Sequence, residues 1–170
     1  KILSEIIFLK ENIKENPNNY KSHYRLGQIY YETGKFELAV EENKTAILLN
    51  PEDPLAYYEL GTNYSALEKY PEAIEQFQKA IEITPRDAWL YDWLGDTYDQ
   101  IDDGANAIIN TLIAEKLYAE GNYSLGIAES RKNLRKYFKK YEFKPEDFDK
   151  VSPPERDSSS SDSAGTYGEE

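Results

Sequence analysis

Catalysis needs nucleophiles, acid–base partners or metal ligands at workable spacings, and this sequence offers few. It contains no cysteine and one histidine, His23. Without cysteine there are no disulfides, no thiolate nucleophiles and no cysteine-ligated zinc or iron–sulfur centres. A serine–histidine nucleophile would have to use His23, which shares a 34-residue column with Tyr57 and Tyr91 and so reads as a helix-packing residue. No glycine-rich phosphate loop of either common spacing occurs. The expectation is a protein without catalytic residues, cofactor or bound metal.

Carboxylates and tryptophans carry the remaining signal. Asp92, Asp96, Asp99 and Asp103 fall at i, i+4, i+7 and i+11, which places them on one face of a helix. Such a ladder can be a solvated face, a hard-cation site or the acidic wall of a peptide site. The metal reading is weak, because the spacing matches no EF-hand loop and a rigid helix rarely wraps a cation. Trp89 and Trp93, the only two tryptophans, form an i,i+4 pair that either packs on a neighbouring helix or anchors a ligand.

The whole chain has 170 residues, of which 39% are hydrophobic and 31% charged, enough for one domain with a core plus a tail. A net charge of −12 disfavours nucleic acid as the main partner. Apolar runs such as Ile6 to Leu9 are far below the ~18 residues of a membrane span, so a soluble, cytoplasmic protein is the expectation. With no methionine and Lys1 in first place, the chain is expected to be a processed product or a fragment.

The elements that position these residues follow from a repeat. Gly27, Gly61 and Gly95 are 34 residues apart, each preceded by leucine, and Tyr30, Tyr64 and Tyr98 keep step. So do Ala39, Ala73 and Ala107, then Ala46, Ala80 and Ala114. Within each unit, sets such as Tyr57, Leu60, Gly61 and Tyr64 fall at i, i+3, i+4 and i+7, one face of a helix. Asn19, Asp53 and Asp87 recur just ahead of that helix as N-caps, and Pro51 and Pro85 end the second helix of their units. The small residues let paired helices approach closely, and stacking of neighbouring units buries a face that one unit cannot bury alone.

This pattern resembles the tetratricopeptide repeat family, whose helix-turn-helix signature falls on residues 20–53, 54–87 and 88–121. The resemblance implies an all-α fold, a right-handed α-solenoid with flanking N-terminal and C-terminal capping helices. Residues 1–19 resemble the second helix of a partial preceding repeat, departing from it at Glu5 and Asn12. Residues 122–144 begin like a fourth first helix and read as a terminal cap, with Leu134, Tyr137, Phe138 and Tyr141 as its apolar stripe. The resemblance also implies a concave groove lined by the first helices. Its expected lining is Tyr24, Gln28 and Tyr31, then Tyr58 and Thr62, then Trp89, Asp92, Trp93, Asp96 and Asp99. Members that clamp the C-terminal carboxylate of heat-shock chaperones use lysine, asparagine and arginine. Here the corresponding positions hold Tyr24, Gln28, Glu59, Trp89 and Trp93, so that ligand is disfavoured.

Charge is distributed unevenly. Residues 131–144 carry seven cations and one acid, whereas residues 145–170 carry eight acids and two cations. The tail, with Pro153, Pro154 and the serines at 158–161, is expected to be disordered or to lie on the basic cap in cis. The function implied is a protein-interaction adaptor that takes a cationic or aromatic-rich peptide in its groove. The alternatives are a structural protein that self-associates into homo-oligomers through its terminal helices or tail, and docking of the basic helix on an anionic membrane or an acidic protein.

Overall fold

The computed structural model describes residues 1–156. Among these residues there are eight helices and no strand: α1 (Ile2–Glu15), α2 (Tyr20–Glu32), α3 (Phe36–Leu49), α4 (Pro54–Ala66), α5 (Tyr70–Ile83), α6 (Ala88–Gln100), α7 (Gly104–Glu120) and α8 (Ser124–Tyr141). A short 3-10 turn, Pro145–Phe148, follows. Each helix packs mainly against its predecessor and successor in the chain, which makes the molecule an all-α solenoid.

The boundaries have local causes. The Asn19 side chain accepts the Ser22 N–H, Asp53 accepts that of Leu55, and Asp87 that of Trp89, satisfying amides that the first helical turn leaves unpaired. Pro54 follows Asp53 at the first helical position, where its fixed φ suits the helix. The turn inside each pair uses one left-handed residue at the same period: Gly34 at φ 72°, Glu68 at 58° and Asp102 at 57°. Glycine adopts this conformation freely, whereas Glu68 and Asp102 adopt it at a steric cost.

Packing within a pair depends on the glycine column. A Cβ on Gly27 would lie 2.5 Å from Asn43 Oδ1, and one on Gly61 would lie 2.6 Å from the Phe77 ring. On Gly95 it would strike the Thr111 hydroxyl. The partner is always 16 residues downstream, so one backbone-to-side-chain contact recurs three times. Ala39, Ala73 and Ala107, with Ala46, Ala80 and Ala114, are completely buried around it. His23 belongs to this packing: its Nδ1 lies 2.7 Å from Glu42 and its Nε2 3.1 Å from the Pro17 carbonyl.

One feature differs from the sequence expectation. Residues 145–156, expected in a disordered tail, run back along the body. Phe148 stacks edge-on to Phe138 and Phe143, Lys116 donates to the Val151 carbonyl, and Arg86 donates to the Pro154 carbonyl. The physical reason is that Phe148 brings apolar area, while cations outside the tail satisfy its backbone. The serines at 158–161 and the proposed docking of the acidic tail on the cap helix fall on residues outside the described ones. The terminal cap agrees with the expectation, its apolar stripe built into the array. Tyr137 is 1% exposed and Leu134 6%, packed on Ala107 and Ile108 of α7.

Gly61→Ala is expected to lower unfolding stability by about 1–3 kcal/mol, because the Phe77 ring is wedged in the core and cannot yield cheaply. Glu68→Gly is expected to raise it by roughly 0.5 kcal/mol, the left-handed strain removed less the added freedom of the unfolded chain. Urea unfolding followed by circular dichroism measures both.

Candidate functional site

The first helices of the pairs, α2, α4 and α6, present a continuous polar and aromatic face. Tyr24 donates to Glu59 Oε1 at 3.2 Å, and Gln28 Nε2 donates to the same oxygen at 3.0 Å, bridging α2 to α4. Between α4 and α6, Tyr58 meets Trp93 edge-on at 5.9 Å, and Trp93 stacks on Phe77 at 6.1 Å. Tyr31 at one end and Trp89 at the other are exposed, 37% and 42%. Burial, reinforced by the Glu59 carboxylate, raises the Tyr24 phenol, and the same two causes push Tyr58 up to about 12. Both phenols therefore stay protonated, Tyr24 as a donor to Glu59.

Of the expected groove residues, Tyr24, Gln28, Tyr31, Tyr58, Trp89 and Trp93 lie on this face. Thr62 does not offer itself to a ligand: it is 5% exposed and its hydroxyl donates to the Glu59 carbonyl one turn back. The aspartate ladder needs a larger correction. Expected as an acidic wall open to a cationic peptide, it is instead the seat of α8. Tyr118 and Ser130 donate to Asp92 at 2.7 and 3.2 Å. Tyr137 donates to Asp96 at 2.7 Å. Lys136, Lys140 and Tyr141 all converge on Asp99 at 2.6 to 2.9 Å, leaving it 6% exposed. The cation the ladder attracts is thus largely this chain's own. The fourth aspartate, Asp103, caps α7 by accepting the Asn106 N–H.

Position along the ladder decides each carboxylate's electrostatics. Burial pushes Asp92 up to about 6, only partly opposed by hydroxyl donors that bring no positive charge. Burial likewise raises Asp96, against the pull of Tyr137 and the Lys136 charge. Burial works in the same direction on Asp99, but the hydrogen bonds from Lys136, Lys140 and Tyr141 outweigh it and hold the carboxyl down at about 2.

The sequence reading missed Tyr118, Ser130, Tyr137, Lys136 and Lys140 as partners of the ladder. A signal exists: the α8 donors stand 37 to 42 residues beyond their aspartates, one repeat plus one or two helical turns. Lys136 and Lys140, like Tyr137 and Tyr141, also keep an i,i+4 spacing that mirrors the acids.

A family model described as TPR repeat matches residues 27–67 and again 63–101. The chain therefore carries tetratricopeptide repeats over residues 27–101. A search of curated proteins found no match for the sequence. Among solved structures it is similar to MamA, at 23% identity over 81% of this chain and 88% of that one, with a TM-score of 0.62. It is also similar to PcrH in complex with the chaperone-binding region of PopD, at 18% identity over 71% of this chain and 92% of that one, TM-score 0.67. The C-terminal part of a TPR repeat-containing protein from Cytophaga hutchinsonii reaches a TM-score of 0.73 at 22% identity, covering 80% of this chain and 55% of that one. These likenesses show the fold. Among the described residues, no helix is long and apolar enough to cross a membrane.

The two ends of the ladder should respond oppositely to pH. Asp99 is easier to ionise folded than unfolded, so its stabilisation is full above pH 4 and is lost as pH falls towards 2. Asp99→Asn is expected to cost about 1–2 kcal/mol at pH 7 and progressively less below pH 4. Asp92 is harder to ionise folded, so its charge opposes folding above pH 6 and that cost vanishes towards pH 4. Asp92→Asn is expected to gain up to about 2 kcal/mol at pH 7 and nothing at pH 4. Melting temperatures of the three proteins across that range check both signs.

Proposed function

We propose that this protein is a non-catalytic adaptor that holds a cationic or aromatic-rich peptide segment of a partner protein along the face of α2, α4 and α6. The observation that carries the reading is the unbroken row of Tyr24, Gln28, Tyr58, Trp93 and Trp89 around Glu59, which accepts from the neutral donors Tyr24 and Gln28. Aromatic rings whose polar ends are already oriented lose little entropy on binding and make typical hot-spot anchors. The PcrH complex supports the reading, since there the same fold accompanies a bound segment of another protein. The preference for positive charge rests on Glu59 and Asp92, because Asp99 is matched by lysines from α8.

Fluorescence anisotropy with basic–aromatic, purely apolar and acidic dodecapeptides, at low and high salt, tests this. The basic–aromatic peptides should bind best and weaken with salt. Tyr58→Ala should weaken them by about tenfold, and Glu59→Gln should reduce the salt dependence. Leu48→Ala, at an 82% exposed site on α3, should change nothing. Equal binding by the Tyr58→Ala protein, with its helicity intact, would overturn the reading.

A specific observation favours self-association as a second reading. Ile2, Leu3, Ile7 and Phe8 leave α1 with an exposed apolar surface, Leu3 at 70% and Phe8 at 60%. If that surface pairs copies of the chain, sedimentation velocity should show mass rising with concentration, and Phe8→Glu should abolish the rise. A concentration-independent monomer dismisses it.

A further inference from the structure

The repeats are not equivalent at their fifth position. There α2 and α4 carry tyrosines, Tyr24 and Tyr58, whereas α6 carries the much smaller Asp92 and α8 carries Gly126. Tyr118, at a position held by Asn50 and Thr84 in the earlier units, leans in from α7 and donates to Asp92. A hollow of about 230 Å³ results, bounded by Trp89, Tyr118, Tyr123, Asp92 and Glu129. Trp89 stands edge-on to Tyr118 at 6.3 Å and 89°, and Tyr118 and Tyr123 are 5.5 Å apart, so three aromatic rings wall one side. A side chain on Gly126 would run into the Tyr118 and Tyr123 rings at 2.6 Å, which is why this wall can close over the backbone.

Charge gives the hollow its chemistry. Asp99, two turns along the same helix, has Lys136 and Lys140 as counter-ions. Among the described residues Asp92 accepts from the hydroxyls of Tyr118 and Ser130, and two further acids, Asp96 and Glu129, stand near it. A half-buried carboxylate with acceptor capacity left, set beside π faces, is complementary to an alkyl cation: the rings contact its stem and attract its head, and the carboxylate pairs with it.

We propose that this hollow between α6, α7 and α8 is a specificity pocket for one lysine or arginine side chain of the bound partner segment. It supplies at Asp92 the counter-ion that α8 supplies to Asp99. The proposal deepens the adaptor reading by naming the residue that fixes a peptide's register on the face. Lysine and arginine share this chemistry with free quaternary ammonium compounds, and the peptide side chain is favoured because the pocket opens beside Trp89 at the end of the aromatic row.

The test needs no known partner. With only two tryptophans in the chain, their indole N–H signals are separately assignable by NMR using Trp89→Phe. The intact protein is titrated with N-acetyl-lysine amide, N-acetyl-arginine amide, the uncharged isostere N-acetyl-norleucine amide, and choline. The lysine or arginine amide should shift the Trp89 signal saturably at millimolar concentration and leave Trp93 in place. Norleucine should bind at least fivefold more weakly. Asp92→Asn should abolish the preference for the cation, and Glu129→Gln, an exposed change that gives up only a surface ion pair with Lys132, should weaken it about twofold. Norleucine binding as well as lysine, unchanged selectivity in Asp92→Asn, or choline outcompeting both amides overturns the pocket assignment. These amides do not need the rest of the groove. Their failure alongside intact peptide binding sinks only the pocket, and absent peptide binding alongside their success sinks only the groove.

Discussion

The approach of a glycine backbone to a side chain 16 residues downstream is the contact on which the array depends. It sets how near the two helices of each pair come, and hence how much of the alanine columns is enclosed. Asn43, Phe77 and Thr111 fill the same place with different chemistry: an amide, a ring and a hydroxyl that donates to the Ala107 carbonyl. What recurs is therefore the absence of a Cβ on the first helix, not the identity of its partner. Geometry this tight propagates from pair to pair because each helix packs chiefly on its chain neighbours.

That dependence explains why the fold was legible in the sequence and the site only partly so. Gly27, Gly61 and Gly95 must be small and must recur, so the period and the helical register could be read directly. The N-caps were equally plain, since Asn19, Asp53 and Asp87 act on amides two or three residues away. The aspartate ladder was visible, but its meaning depended on α8, at least 37 residues off, and one-dimensional reading assigns a charged stripe to solvent or ligand before it assigns it to another helix of the chain. Thr62 was misplaced for a related reason. A groove position inherited from a repeat says where a Cβ points, while a short hydroxyl folds back to its own helix carbonyl. The packed segment 145–156 escaped because its composition is that of a tail, and only Phe148 betrays a foothold.

The terminal helix closes the solenoid electrostatically as well as sterically. An open end of an array exposes an apolar surface that the next unit would cover, and α8 covers it with Leu134 and Tyr137. The acids of α6 would repel an acidic cap and be left without counter-ions by a neutral one, so the cationic face of α8 is part of what makes it the right last helix. The ladder is also graded: tightly matched at Asp99, partly matched at Asp96, and left to hydroxyl donors at Asp92. A single stripe of like charges thus divides into a structural end and an end with electrostatic capacity to spare.

The strap formed by residues 149–156 is held by a feature with a different kind of consequence. Lys116 and Arg86 grip the carbonyls of Val151 and Pro154, and Glu120 takes Arg156. Two of those three grips hold main chain, so they are blind to most side chains in the strap, and its sequence is free to change while its course is kept. Arg156 is therefore moored on α7, at Glu120, rather than projecting from the far end of α8.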